Sequence, residues 1–81
     1  MRVTLFQPCK IGVAVIKKLD LNFIPFPGLE FSESSFSRYS RKVKSVGCDI
    51  PTGSIVAVMA GELTELEVEL LRHEGWEFAL K

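Results

Sequence analysis

The sequence predicts a single small α/β domain ordered βαβ-α-βαβ, with four short strands and two to three helices. Three observations predict it. Apolar residues recur at helical spacing in three separate segments, short β-prone runs lie on either side of them, and Gly or Pro marks most of the junctions. Eighty-one residues suffice for one hydrophobic core and are too few for two, so residues 1–81 form one domain.

Val3, Leu5 and Phe6 read as a strand that stops at Gln7-Pro8, and Pro at a first helical position loses nothing because its absent N–H would be unpaired there. Ile11, Val15 and Leu19 recur four apart, with Lys17 and Lys18 between them, and read as a first helix. The β-branched content of Ile11 to Ile16 also permits a strand, in which case Gln7 to Lys10 is a hairpin turn. Asn22 to Gly28 reads as a short strand that Pro25 and Pro27 confine to an edge, since each removes a ladder donor.

Ser32 or Ser34 caps a second helix, in which Phe36, Tyr39, Val43 and Val46 follow 3, 4, 3 spacing up to Gly47. Pro51-Thr52-Gly53 breaks the chain before Ile55 to Met59, an apolar run expected at the centre of a sheet with both faces buried. Leu63, Leu66, Leu70 and Leu71 carry a third helix, whose early Glu62, Glu65, Glu67 and Glu69 suit the positive end of the dipole. Gly75 ends it, and Trp76, Phe78 and Leu80 alternate with Glu77 and Ala79 as a last strand.

A composition of 47% hydrophobic and 25% charged residues is that of a chain that folds, not of a disordered one. The longest uncharged stretch, Ile50 to Gly61, is shorter than the roughly 20 residues of a membrane span. Val3 to Phe6 is interrupted by Gln7, Pro8 and Lys10, unlike the apolar run of an export signal, so the expected location is the cytoplasm. Net charge is zero, but residues 1–50 hold eight Lys/Arg against four Asp/Glu, and residues 51–81 hold two against six. Such a chain has no single-sign field, which disfavours whole-surface nucleic-acid binding and favours work through local patches.

Cys9 and Cys48 form no disulfide framework, no metal-ligand spacing is present, and Gly47, Gly53 and Gly61 form no phosphate loop, so no metal or cofactor is expected. Cys9 stands out because it follows a strand at the expected start of a helix, where N–H groups and Lys10 stabilise a thiolate; the alternative is a small buried residue that closes the core.

Val3-Thr4-Leu5-Phe6 followed by Pro8-Cys9, then Asn22-Phe23-Ile24-Pro25, Val43 to Gly47, Ile50-Pro51-Thr52 and Ala60-Gly61-Glu62, resembles in its order the thioredoxin and glutaredoxin family. The resemblance implies a thioredoxin-like fold, or a ferredoxin-like variant, with Cys9 as nucleophile and Pro51 as the family's cis-proline. Gly12 stands where C-x-x-C has its second thiol, so the activity implied is that of a monothiol protein. From Gly12 to Val43, an amphipathic helix, then Asn22-Phe23-Ile24-Pro25-Phe26-Pro27, then an acidic and phenylalanine-containing segment also resembles small lambdoid phage early-region proteins of unknown function, which implies an accessory protein that binds and blocks a host protein.

Arg38, Arg41, Lys42 and Lys44 interleave with Tyr39 across residues 37–45, a pattern that suits phosphates and a stacked base, an acidic protein surface, or simply a solvated helix face. Glu65, Glu67 and Glu69 form an acidic face with no residue fixed opposite them for acid–base chemistry, and His73 lies near the helix end. Trp76 is either core or an interface anchor. The function expected is therefore a small protein-binding module, a phage or mobile-element modulator or inhibitor of a host protein. Its basic patch and its acidic patch, Glu65 and Glu69, would meet a protein partner or a second copy of the chain. The alternatives are a monothiol protein using Cys9 and a nucleic-acid binder using the basic helix.

Overall fold

The computed structural model describes residues 1–33 and 38–79. In chain order the elements are β1 (Arg2–Pro8), β2 (Ala14–Asp20), β3 (Glu30–Glu33), β4 (Tyr39–Asp49), β5 (Ser54–Met59), α1 (Glu65–His73) and β6 (Glu77–Phe78). The strands join in the order β3-β4-β5-β1-β2-β6; β1 and β5 are parallel and the other pairs antiparallel. This is a mixed six-stranded sheet with one short helix among the described residues. It overturns the predicted βαβ-α-βαβ domain with two to three helices, and with it the thioredoxin-like or ferredoxin-like architecture.

The first two predicted helices are strands, each for an identifiable reason. Ile11, Val15 and Leu19 are four apart, which is also twice the strand period, and β-branched residues settle the ambiguity toward β2. The hairpin to β1 closes later than Gln7 to Lys10. The Cys9 N–H donates to the Val13 carbonyl (3.0 Å), and Gly12 takes φ +85°, a left-handed conformation open to glycine.

In β4, Val43 pairs with Met59 but Ser45 pairs with Val58, so Lys44 is an extra residue in a bulge. Tyr39 to Val43 thus spans two strand periods, and Val43 to Val46 one period plus the bulged residue. A bulged strand reproduces the 4, 3 spacing of a helix. Ser34, Phe36, Ser37 and Leu80 lie outside the described residues, and Asn22 to Gly28 is an irregular connection, not a strand.

The third predicted helix stands. Thr64 caps α1 with a capping box: the Glu67 N–H donates to Thr64 Oγ1 (3.3 Å), and the Thr64 N–H donates to Glu67 Oε1 (3.0 Å). At the other end Gly75 adopts φ +98°, Trp76 N–H returns to the Leu71 carbonyl (3.2 Å), and Gly75 N–H returns to the Arg72 carbonyl (3.4 Å). This Schellman closure turns Trp76 back beneath the helix.

Among the described residues, α1, Trp76 and the β3–β4 arm cover one face of the sheet. Val3, Leu5 and Gln7 of β1, Val15 of β2, and Ala57 and Met59 of β5 are buried there beneath Leu63, Val68, Leu71 and Trp76. β4 continues past the end of β5, where residues 39–42 pair with β3 and the Lys42 carbonyl still accepts from the Ala60 N–H (2.8 Å), and this arm folds over the same face. Phe31 and Tyr39 of the arm share a cavity of about 230 Å³ with Leu5, Leu19 and Trp76. The shortest dimension, 19 Å, has room for the sheet and one covering layer.

The box makes Glu67 a reporter of the helix cap. The Thr64 backbone N–H, chiefly, holds its carboxyl below the usual value of 4.5, aided by the Thr64 hydroxyl, Arg41 and Lys10 and opposed by partial burial. A carboxyl lowered on folding stabilises fully above its unfolded pKa and loses that contribution as pH falls through the folded one. Thr64→Ala is expected to cost about 1 kcal/mol at pH 7, read as a fall in Tm of about 4–8 °C. The stability gap between the wild type and Glu67→Gln should shrink as the pH is lowered from 7 to below 4.5.

Candidate interaction surface

Strand alternation that sends odd residues of β1 inward sends its even residues to the opposite face. By register, Thr4 lies there beside Val56 and Lys18, and Phe6 beside Val58 and Ile16. Gly47 and Ser45 extend these two rows across β4, and Glu77 extends the second across β6. Pro8 and Ala14 make a third row with Ala79, whose N–H donates to the Ala14 carbonyl (2.8 Å). Phe6, Pro8, Ile16, Val56 and Val58 are half-buried although they occupy the middle of the sheet, whereas Val3, Val15 and Ala57 on the other face are sealed.

At its upper end this open face runs into a hollow of about 640 Å³ whose lining includes Phe6, Pro8, Cys9, Ala14, Ala79 and Glu62. Charges frame the apolar centre: Arg2 and Asp20 below, Lys18 and Glu77 on the β2–β6 side, Glu62 above. The apolar area of Phe6, Pro8, Ala14, Ile16, Val56 and Val58 is roughly 200 Å², from strands about 4.8 Å apart and same-face rows about 6.8 Å apart. A patch of this size is ordinary on a monomer; its place at the centre of the sheet, with charges around it, makes it the candidate surface. Periodicity in β1 contained this signal, but β2 had to be read as a strand before Ile16 and Lys18 could join it.

The structure does not gather the residues singled out in the sequence into one site. Tyr39 is core: its hydroxyl donates to Gln7 Oε1 (2.7 Å), and its ring lies 4.9 Å from that of Trp76, also core. Arg41 points to the helix side, with its guanidinium 3.4 Å from Glu67, whereas Lys42 points away and Lys44 sits in the bulge. Arg38 is exposed at the start of the arm, and Glu65 and Glu69 are exposed on α1. Of the basic helix expected over 37–45, the described residues from Tyr39 on are the strand β4, which divides Arg41 and Lys42 between two faces.

Cys9 lies beyond the end of β1, buried, in a bridge to Leu63, not at a helix N-terminus. Its Sγ donates to the Gln7 carbonyl (3.6 Å). Burial pushes the thiol up; a hydrogen bond from the Val15 N–H works against this and the Glu62 carboxylate adds to it. Pro51, joined to Cys9 by the sequence resemblance, is exposed in the β4–β5 turn, and the peptide bonds of the described residues are all trans. That turn lies at the start of β1, so Cys9 and Pro51 occupy opposite ends of the sheet.

The chain matches no known family model, no curated protein and no solved structure. No helix of the described residues is long and apolar enough to cross a membrane.

The two free thiols differ in access, since Cys48 is exposed and Cys9 buried. Iodoacetamide at pH 8 should modify Cys48 in the folded protein and leave Cys9 unmodified until denaturant is added, as followed by peptide mass spectrometry. Equal rates at the two positions would contradict the placement of Cys9.

Proposed function

We propose that this chain is a small protein-binding module that works by surface complementarity through its open sheet face. One observation carries the reading: Phe6, Ile16, Val56 and Val58 form a continuous apolar surface at the centre of the sheet, framed by charges, with helix and arm both committed to the other side. A chain this small gains from burying such a surface, and a folded partner supplies what a second layer of its own would have supplied. Bound there, the module masks the matching surface of its partner, which is how a modulator or inhibitor without an active site acts.

Thiol chemistry has less support. A buried thiol pushed above its usual pKa is a poor nucleophile, and Cys9 has neither a second thiol nor Pro51 at hand. Nucleic-acid binding through residues 37–45 loses the single basic face it required.

The test compares capture of proteins by the immobilised wild type, by Val58→Asp and by Lys42→Glu, each first shown to be folded by circular dichroism. A partner held by wild type and Lys42→Glu and lost with Val58→Asp is the expected result. A partner indifferent to Val58→Asp and lost with Lys42→Glu would move the site to the arm and overturn the reading.

A further inference from the structure

We infer that the cavity between the arm and the inner face of the sheet is a binding site for a small, flat, uncharged aromatic molecule of benzene to indole size. The site lies across the sheet from the proposed protein-binding face. The cavity measures about 230 Å³, and its apolar walls among the described residues are Leu5 and Leu19 of the sheet, Phe31 and Tyr39 of the arm, and Trp76. Ser32, which is exposed, stands at its rim with Lys17, whose ammonium donates to the Glu74 carbonyl (3.3 Å). An apolar cavity of about 150 Å³ takes up benzene, whereas drug-sized ligands need about 300–1,000 Å³. The volume therefore sets the size of the occupant.

A void forfeits the dispersion contacts of every side chain around it, so a core closes over one wherever its walls are free to move. These walls are held in place. The Tyr39 hydroxyl is fixed 2.7 Å from Gln7 Oε1, the Trp76 N–H is bonded to the Leu71 carbonyl (3.2 Å), and Phe31 belongs to a strand paired with β4 along its length. The tyrosine and tryptophan rings stand 4.9 Å apart with their planes at 54°, so they form two walls at an angle and do not stack shut.

The lining selects the chemistry of the occupant. Three of the five apolar walls are aromatic rings, against which a flat ring makes edge-to-face and offset contacts that a puckered aliphatic of the same volume does not. The Tyr39 hydroxyl is engaged by Gln7, and no buried side-chain polar atom of the described residues lacks a partner, so the interior calls for neither water nor charge.

Trp76 is the sole tryptophan, so its indole N–H gives one NMR signal of its own. Titration of the full chain with benzyl alcohol and with cyclohexylmethanol, followed through that signal and the methyls of Leu5 and Leu19, tests the site. Two variants fill the cavity, Leu19→Phe from the floor and Ser32→Phe from the exposed rim, where the fold is not at stake. The expected result is a saturable shift with benzyl alcohol at a dissociation constant on the order of 1 mM, about threefold or more weaker with cyclohexylmethanol, and about tenfold or more weaker in the filled variants. No saturable shift up to about 20 mM benzyl alcohol overturns the site. Equal affinity for the two alcohols, binding that ignores both variants, or shifts confined to Ile16, Val56 and Val58 on the other face would each overturn it as well.

Discussion

Gln7 is the residue on which the arrangement turns. It is fully buried, on the inner face of the central strand, and a buried amide without partners would cost several kcal/mol. Its Nε2 donates to the Gly61 carbonyl (3.1 Å), just before the helix cap, and to the Pro8 carbonyl (3.0 Å), while its Oε1 accepts from Tyr39 at the start of the arm. One side chain thus ties the two pieces of chain that cover the core, α1 and the β3–β4 arm, to the same side of β1. Tyr39 in turn packs at a tilt against Trp76, which the Schellman closure of α1 has brought beneath the helix, so the contacts are continuous from sheet to arm to helix.

The consequence is a lopsided molecule. Among the described residues the covering segments are α1 and the β3–β4 arm, and hydrogen bonding to Gln7 ties both to one face. What remains on the other side is a sheet surface with an apolar centre of Phe6, Ile16, Val56 and Val58 among polar and charged neighbours, ending in a hollow. Cys9 belongs to this account as packing: its bridge to Leu63 fixes the approach to α1, and its burial removes the thiol from the role its position in the sequence suggested.

Much of this was legible in the sequence, in an instructive pattern. β1, β5, α1 and the final strand were read where they occur, because each has one dominant signal: an apolar run closed by a turn, or a helical repeat with acids first and Gly75 last. The segments 11–19 and 36–46 were misread because a spacing of four satisfies both periods, and because the Lys44 bulge inserts the extra residue that turns a strand pattern into a helical one. Losing two strands to helices hid the candidate face entirely, since Ile16, Lys18 and Ser45 acquire a common side only through register. The hydrogen bonds of Gln7 join residues up to 54 positions apart and leave no local trace.

The central claim is the one-sided covering of the sheet, and methyl NMR with a soluble paramagnetic probe tests it most directly. In a dilute sample, below the range of any self-association, the account predicts strong broadening of the methyls of Ile16, Val56 and Val58, with those of Val3, Val15, Val68 and Leu71 unaffected. Equal protection of both sets would show that the second face is covered and would contradict it.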